Sequence, residues 1–170
     1  MASLMEELLD VLGKEEKQYQ ELITLATEKT DAVVQGNLEH LTDVTTREQD
    51  AASVLLNLSN KRNRVLTDMA TVLGQSPEEM TITKMIGYLN KQPKEQEALT
   101  RQRDRLLEAG AKMQQLNRQN EALLKQALEM VEFDLTLLRS TRQALLDANN
   151  LQLQAIAAIA DPIRPDVPAA

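Results

Sequence analysis

The sequence contains no cysteine and no tryptophan, one histidine, and three aromatic residues in 170, namely Tyr19, Tyr88 and Phe133. Without cysteine there is no disulfide scaffold, zinc ribbon or thiol nucleophile, and the same absence suits a reducing compartment. The segment from Met1 to Asp10 is acidic rather than basic, so no signal peptide is expected and the expected location is the cytoplasm. No apolar run approaches the roughly eighteen residues of a membrane span, so membrane insertion is not expected. Nucleic acid is an unsuitable partner, because a net charge of −7 with three aromatics offers neither an electrostatic funnel nor stacking platforms. Arg101, Arg103 and Arg105 form the one basic cluster, interleaved with Glu97, Asp104 and Glu108 as on a solvated helix face.

Catalytic constellations are missing too. His40 is the lone histidine, so no Ser-His-Asp set can be assembled. A di-iron bundle needs Glu-x-x-His on two helices, and the position three before His40 is Asn37. Gly36, Gly74 and Gly110 are isolated, which excludes a phosphate-cradling loop. No catalytic, metal-binding or cofactor-binding residue is expected, and the chain reads as a binding protein rather than an enzyme.

What is present is helix-forming material with an aliphatic core. Hydrophobic residues make up 42% of the chain while glycine and proline contribute five each, the balance of long helices rather than of a sheet or a disordered chain. Punctuation predicts helices over about 3–35, 38–73, 81–90 and 94–160, all in one domain (1–160), followed by a Pro-rich tail over 161–170. Ser3 is the expected first cap. Gly36-Asn37 suits a left-handed residue followed by an N-cap, Gly74 ends the second helix, and Ser76-Pro77-Glu78-Glu79 reads as a new start with a capping box. The acid is concentrated at the front, where residues 1–36 carry −5.

The first helix places Met5, Leu8, Leu12, Glu15, Tyr19, Leu22, Ala26, Lys29 and Val33 at alternating spacings of three and four, a heptad seam. The second continues the alternation from Leu41 through Glu48, Leu55 and Arg62 to Val72. Each seam is interrupted by two charges fourteen residues apart. In an antiparallel hairpin whose facing positions sum to 77, Lys29 meets Glu48 and Glu15 meets Arg62. These pairs are expected to set register, since a one-heptad slip would face each charge with an apolar side chain. The alternative is that the long side chains reach solvent beside the seam.

A continuous fourth helix over 94–160 would be about 100 Å long, against about 55 Å for the second. Its apolar stripe runs through Leu124, Leu128, Val131, Leu135, Leu138, Leu145, Ile156 and Ile159, widened by Leu123, Ala127, Met130 and Leu137. Each buried leucine contributes about 1.5–3 kcal/mol, so such an overhang calls for cover: a second protomer, a foreign protein, or its own hairpin. Gly110 is expected to mark a bend or a close-packing point. Asn117 and Asn120 lie one turn apart on one face. They read either as a polar break that sets register or as amides that bind the backbone of a captured segment.

Several of these residues together resemble the FlgN family. They are Leu8-Leu9 with Glu15 and Tyr19, the run from Leu22 to Lys29, Gly36-Asn37-Leu38, Thr46-Arg47-Glu48-Gln49, Arg62, Thr81-Ile82-Thr83, and Leu116-Asn117-x-x-Asn120-x-x-Leu123-Leu124. The resemblance implies a cytoplasmic export chaperone that keeps the hook-filament junction proteins FlgK and FlgL unpolymerised and delivers them to the flagellar type III export gate. It also implies that the client's C-terminal segment is held by the C-terminal part of the chaperone, at Asn117, Asn120, Leu123, Leu124, Leu128, Val131, Leu135 and Leu138. The tail from Asp161 to Ala170 has neither the tyrosine nor the glycine that many members carry there. The expected fold is therefore all-α, an elongated, coiled-coil-like antiparallel bundle with a short third helix and a very long C-terminal helix. The rival reading is a scaffolding coiled coil that self-associates, as a homodimer for instance, through that last helix.

Overall fold

The computed structural model describes residues 1–130 and 135–163. Among them are five α-helices and no strand: α1 (Ala2–Gln35), α2 (Leu38–Val72), α3 (Ile82–Tyr88), α4 (Pro93–Met130) and α5 (Leu135–Ile163). The first helix starts at Ala2 without a side-chain cap, so Ser3 lies inside it rather than at its boundary. Gly36 ends it in the left-handed conformation at φ 65°. There the Gly36 and Asn37 N–H groups donate to the carbonyls of Val33 and Ala32, the paired bonds of a Schellman turn. Asn37 Oδ1 then accepts from the His40 N–H at 3.1 Å and caps α2. Gly74, at φ 67°, repeats the device at the end of α2, where Gly74 and Gln75 donate to Thr71 and Ala70.

The start expected at Ser76 is a single 3-10 turn, Pro77–Glu79, and the Ser76 side chain makes no cap bond. The helix begins after Thr81, whose hydroxyl accepts from the Lys84 N–H at 3.1 Å. Of two candidate starts, the one followed by buried Ile82 and Met85 prevails, because a helix this short depends on tertiary burial rather than on its cap.

The largest departure concerns the fourth stretch. No continuous helix spans 94–160, because α4 ends at Met130 and α5 returns along the bundle. Leu124 near the end of α4 shares a cluster with Leu145 near the start of α5, while farther along α5 the Ala158 carbonyl reaches Arg62. The reversal buries Leu145, Ala148, Ala155 and Ile156, which is the burial term at work. Helix α5 also extends to Ile163 instead of stopping at Ala160.

The result is two antiparallel hairpins, α1/α2 and α4/α5, lying side by side. Helix α1 packs on α2 and α4, and α5 packs on α2 and α4. Glu16 and Ala26 of α1 meet Gln102 and Asn120 of α4 in the same order, so α1 and α4 run parallel. The chain from α2 to α4 must therefore cross the bundle diagonally at one end, the base, and α3 closes that end with Ile82, Met85 and Leu89 in the main core. The opposite end, the tip, carries the α1–α2 turn and a second apolar cluster of Ala32, Leu41, Leu124 and Leu145. No helix among the described residues is long and apolar enough to cross a membrane.

Candidate functional site

Two buried polar layers cross the bundle. In the layer nearer the base, Arg62 Nη1 donates to Glu15 Oε2 at 3.2 Å, and Ser59 Oγ donates to Glu15 Oε1 at 3.1 Å. Arg62 Nη2 donates to the Ala158 carbonyl of α5 at 3.3 Å. In the layer nearer the tip, Lys29 Nζ lies 2.6 Å from Glu48 Oε2 and donates to Asn149 Oδ1 of α5 at 3.1 Å. All four charged side chains are fully buried. The facing positions are those whose numbers sum to 77, so the side chains pair instead of reaching solvent.

Burial dominates the chemistry of these groups. It pushes the Glu15 and Glu48 carboxyls above their usual range, against the opposing pull of Arg62 and Lys29, and it lowers the Arg62 guanidinium. Burial likewise raises the phenol of Tyr19, with Glu15 adding to the effect. Gln152 of α5 is fully buried beside Glu48, close enough to hold that carboxyl down somewhat. It is not in directed hydrogen-bond geometry, however: Lys29 holds Glu48 Oε2 at 2.6 Å, while both Gln152 amide atoms, Glu48 Oε1 and Arg62 Nε lack a directed hydrogen-bond partner. The ion pair satisfies Glu48 electrostatically, but each buried polar group without a directed bond costs about 1–3 kcal/mol. These shortfalls collect where α5 meets the first hairpin.

Asn117 and Asn120 face inward and are 4% and 1% exposed. Asn120 Nδ2 donates to the Ala26 carbonyl of α1 at 2.8 Å, and the Thr30 hydroxyl lies 2.5 Å from Asn120 Oδ1. The backbone that Asn120 binds is thus the chain's own first helix, at a point where the Thr30 hydroxyl also approaches the Ala26 carbonyl. Asn117 Nδ2 has no partner.

At the tip, Leu124, Ala127 and Leu128 of α4, Thr141 and Leu145 of α5, and Ala32, Val33, Leu38 and Leu41 line a cavity of about 160 Å³. Its walls are almost entirely carbon. Leu38 is 53% and neighbouring Val34 72% exposed, so apolar surface continues outward from the cavity. Leu123 is half-buried. Val131 lies outside the described residues, and the side chains of Leu135 and Leu138 lie outside the description as well. The structure thus brings Leu124 and Leu128 to one cavity and carries Asn117 and Asn120 into the interior.

Sequence reasoning missed Ser59, Asn149, Gln152 and the tip residues Val34 and Leu38. Only Ser59 had a usable signal, since it lies three residues before Arg62 on the same helical face. Among the described residues no group of three or more acidic or histidine side chains could hold a metal ion, and His40 is a partly buried first-turn residue. A family model described as FlgN protein matches residues 1–156. No curated protein and no solved structure matches the chain.

Proposed function

Because the chain belongs to the FlgN family, a family of flagellar export chaperones rather than of enzymes, we propose that it binds the C-terminal segments of FlgK and FlgL in the cytoplasm. It keeps them from polymerising and hands them to the type III export gate. The observation that carries this reading is the carbon-lined cavity at the tip, walled by Leu124 and Leu128 and continued by exposed Val34 and Leu38. An amphipathic helix can set one apolar side chain there, a helix-in-groove contact.

Magnitude limits what the cavity does alone. About 160 Å³ accepts roughly one benzene-sized group. One buried side chain contributes about 1.5–3 kcal/mol, less than the roughly 4 kcal/mol of a millimolar complex. The cavity anchors a client, and further surface must hold it.

The test is titration of the purified chain with a peptide from the C-terminal segment of FlgK, comparing the wild type with Leu128→Asp. Leu128 is half-buried, so the variant is expected to stay folded and to lose at least about tenfold in affinity, equivalent to about 1.4 kcal/mol. Unchanged affinity in a folded variant moves the anchor elsewhere.

A further inference from the structure

The further surface is found under α5. The first hairpin and α4 leave a groove, and the helix that fills it presents Leu145, Ala148, Asn149, Gln152, Ala155 and Ile156 as its buried face. Four of these six are alanines or amides of modest apolar area, leaving Leu145 and Ile156 as the large aliphatic side chains among the buried residues described on α5. The fit is also chemically incomplete. Asn149 gives Lys29 an acceptor, but one turn later Gln152 lies beside Glu48 without bonding it, and Arg62 Nε is orphaned. On α4 one buried amide is well placed, Asn120 on the Ala26 carbonyl of α1, and the other, Asn117 Nδ2, is unpartnered. The tip cavity adjoins the same groove, since Thr141 and Leu145 of α5 form one of its walls.

We propose that α5 is a stand-in ligand, and that an amphipathic helical segment of the client displaces it from the groove bounded by α1, α2 and α4. The incoming helix seats an apolar side chain in the tip cavity and runs along the groove. It presents a carbonyl acceptor to Lys29 and, three residues on, an O–H or N–H donor to Glu48 in the geometry that Gln152 does not reach. Large aliphatic side chains replace Ala148 and Ala155. The inference rests on the export-chaperone reading but makes a separate claim, that binding requires α5 to leave.

Two variants of the full chain test it, with the FlgK C-terminal peptide as probe. The sequence has no cysteine, so cysteines placed at Gln49 and Ala144, which line one cleft between α2 and α5, can be joined by a short bis-maleimide to hold α5 down. Gln152→Glu sets a second carboxylate beside buried Glu48 and should loosen α5. The crosslinked chain is expected to bind the peptide at least tenfold more weakly than the same chain before crosslinking. The Gln152→Glu chain is expected to bind several-fold more tightly than the wild type, with faster amide hydrogen exchange confined to α5. Unchanged binding after crosslinking, or weaker binding by a folded Gln152→Glu chain, overturns displacement and leaves the chaperone reading standing. Failure of both the wild type and Gln152→Glu to bind the peptide overturns both.

Discussion

Arg62 is a fully buried guanidinium held by Glu15 and by a carbonyl of α5, and its energetic role follows from what its removal leaves behind. Arg62→Leu strands the Glu15 carboxylate in the core, and unpairing a buried charge costs about 3–5 kcal/mol. Replacing both partners, Glu15→Leu with Arg62→Met, removes the desolvation penalty together with the attraction. Thermal unfolding is therefore expected to show a large loss of melting temperature for the single variant and an unchanged or higher one for the double; equal losses would show that the pair itself supplies the stability. Opposite charges interrupting two seams at a constant sum pointed to this pair in the sequence, with side chains reaching solvent beside the seam as the alternative, and burial of both partners decides between them. Asn149 and Gln152 were not legible there, because on an isolated rod they are indistinguishable from ordinary surface amides. Only the return of α5 makes them interior.

At the level of helices, the boundaries written in glycine were readable and the one written without it was not. Gly36 and Gly74 both adopt the left-handed conformation that ends a helix, and both turns fall where the punctuation puts them. Between Met130, the end of α4, and Leu135, the start of α5, the sequence has neither glycine nor proline, so no local signal there competes with helical periodicity. Burial of α5 decides the reversal, and burial is a non-local quantity. Gly110 shows the converse. It sits inside an unbroken α4, where an added Cβ would meet the Tyr19 ring at 3.9 Å, an ordinary contact. Gly110→Ala should gain about 0.5–1 kcal/mol of helix propensity and raise the melting temperature by about 2–4 °C. A lowered value would show that the Tyr19 ring needs that space.

Taken whole, the molecule is shorter and thicker than its periodicity suggests. Its longest helix, α4, has 38 residues and is about 57 Å long, whereas an unbroken rod over 94–160 would reach about 100 Å. Small-angle X-ray scattering is expected to give a largest dimension well below 100 Å for the free chain, and a value at or above it would contradict the paired hairpins. The all-α class, the first hairpin and its register were visible in the sequence; the side-by-side arrangement was not, because it depends on a diagonal crossing at the base that no local pattern encodes. Chain order gives the last helix one more property. On the ribosome α1, α2 and α4 emerge before α5, and at about 5–20 residues per second its 29 residues take about 1.5–6 seconds to synthesise. For that interval the trough lacks the helix that fills it, so under the displacement proposed above a nascent copy is open to a client before it acquires its own cover.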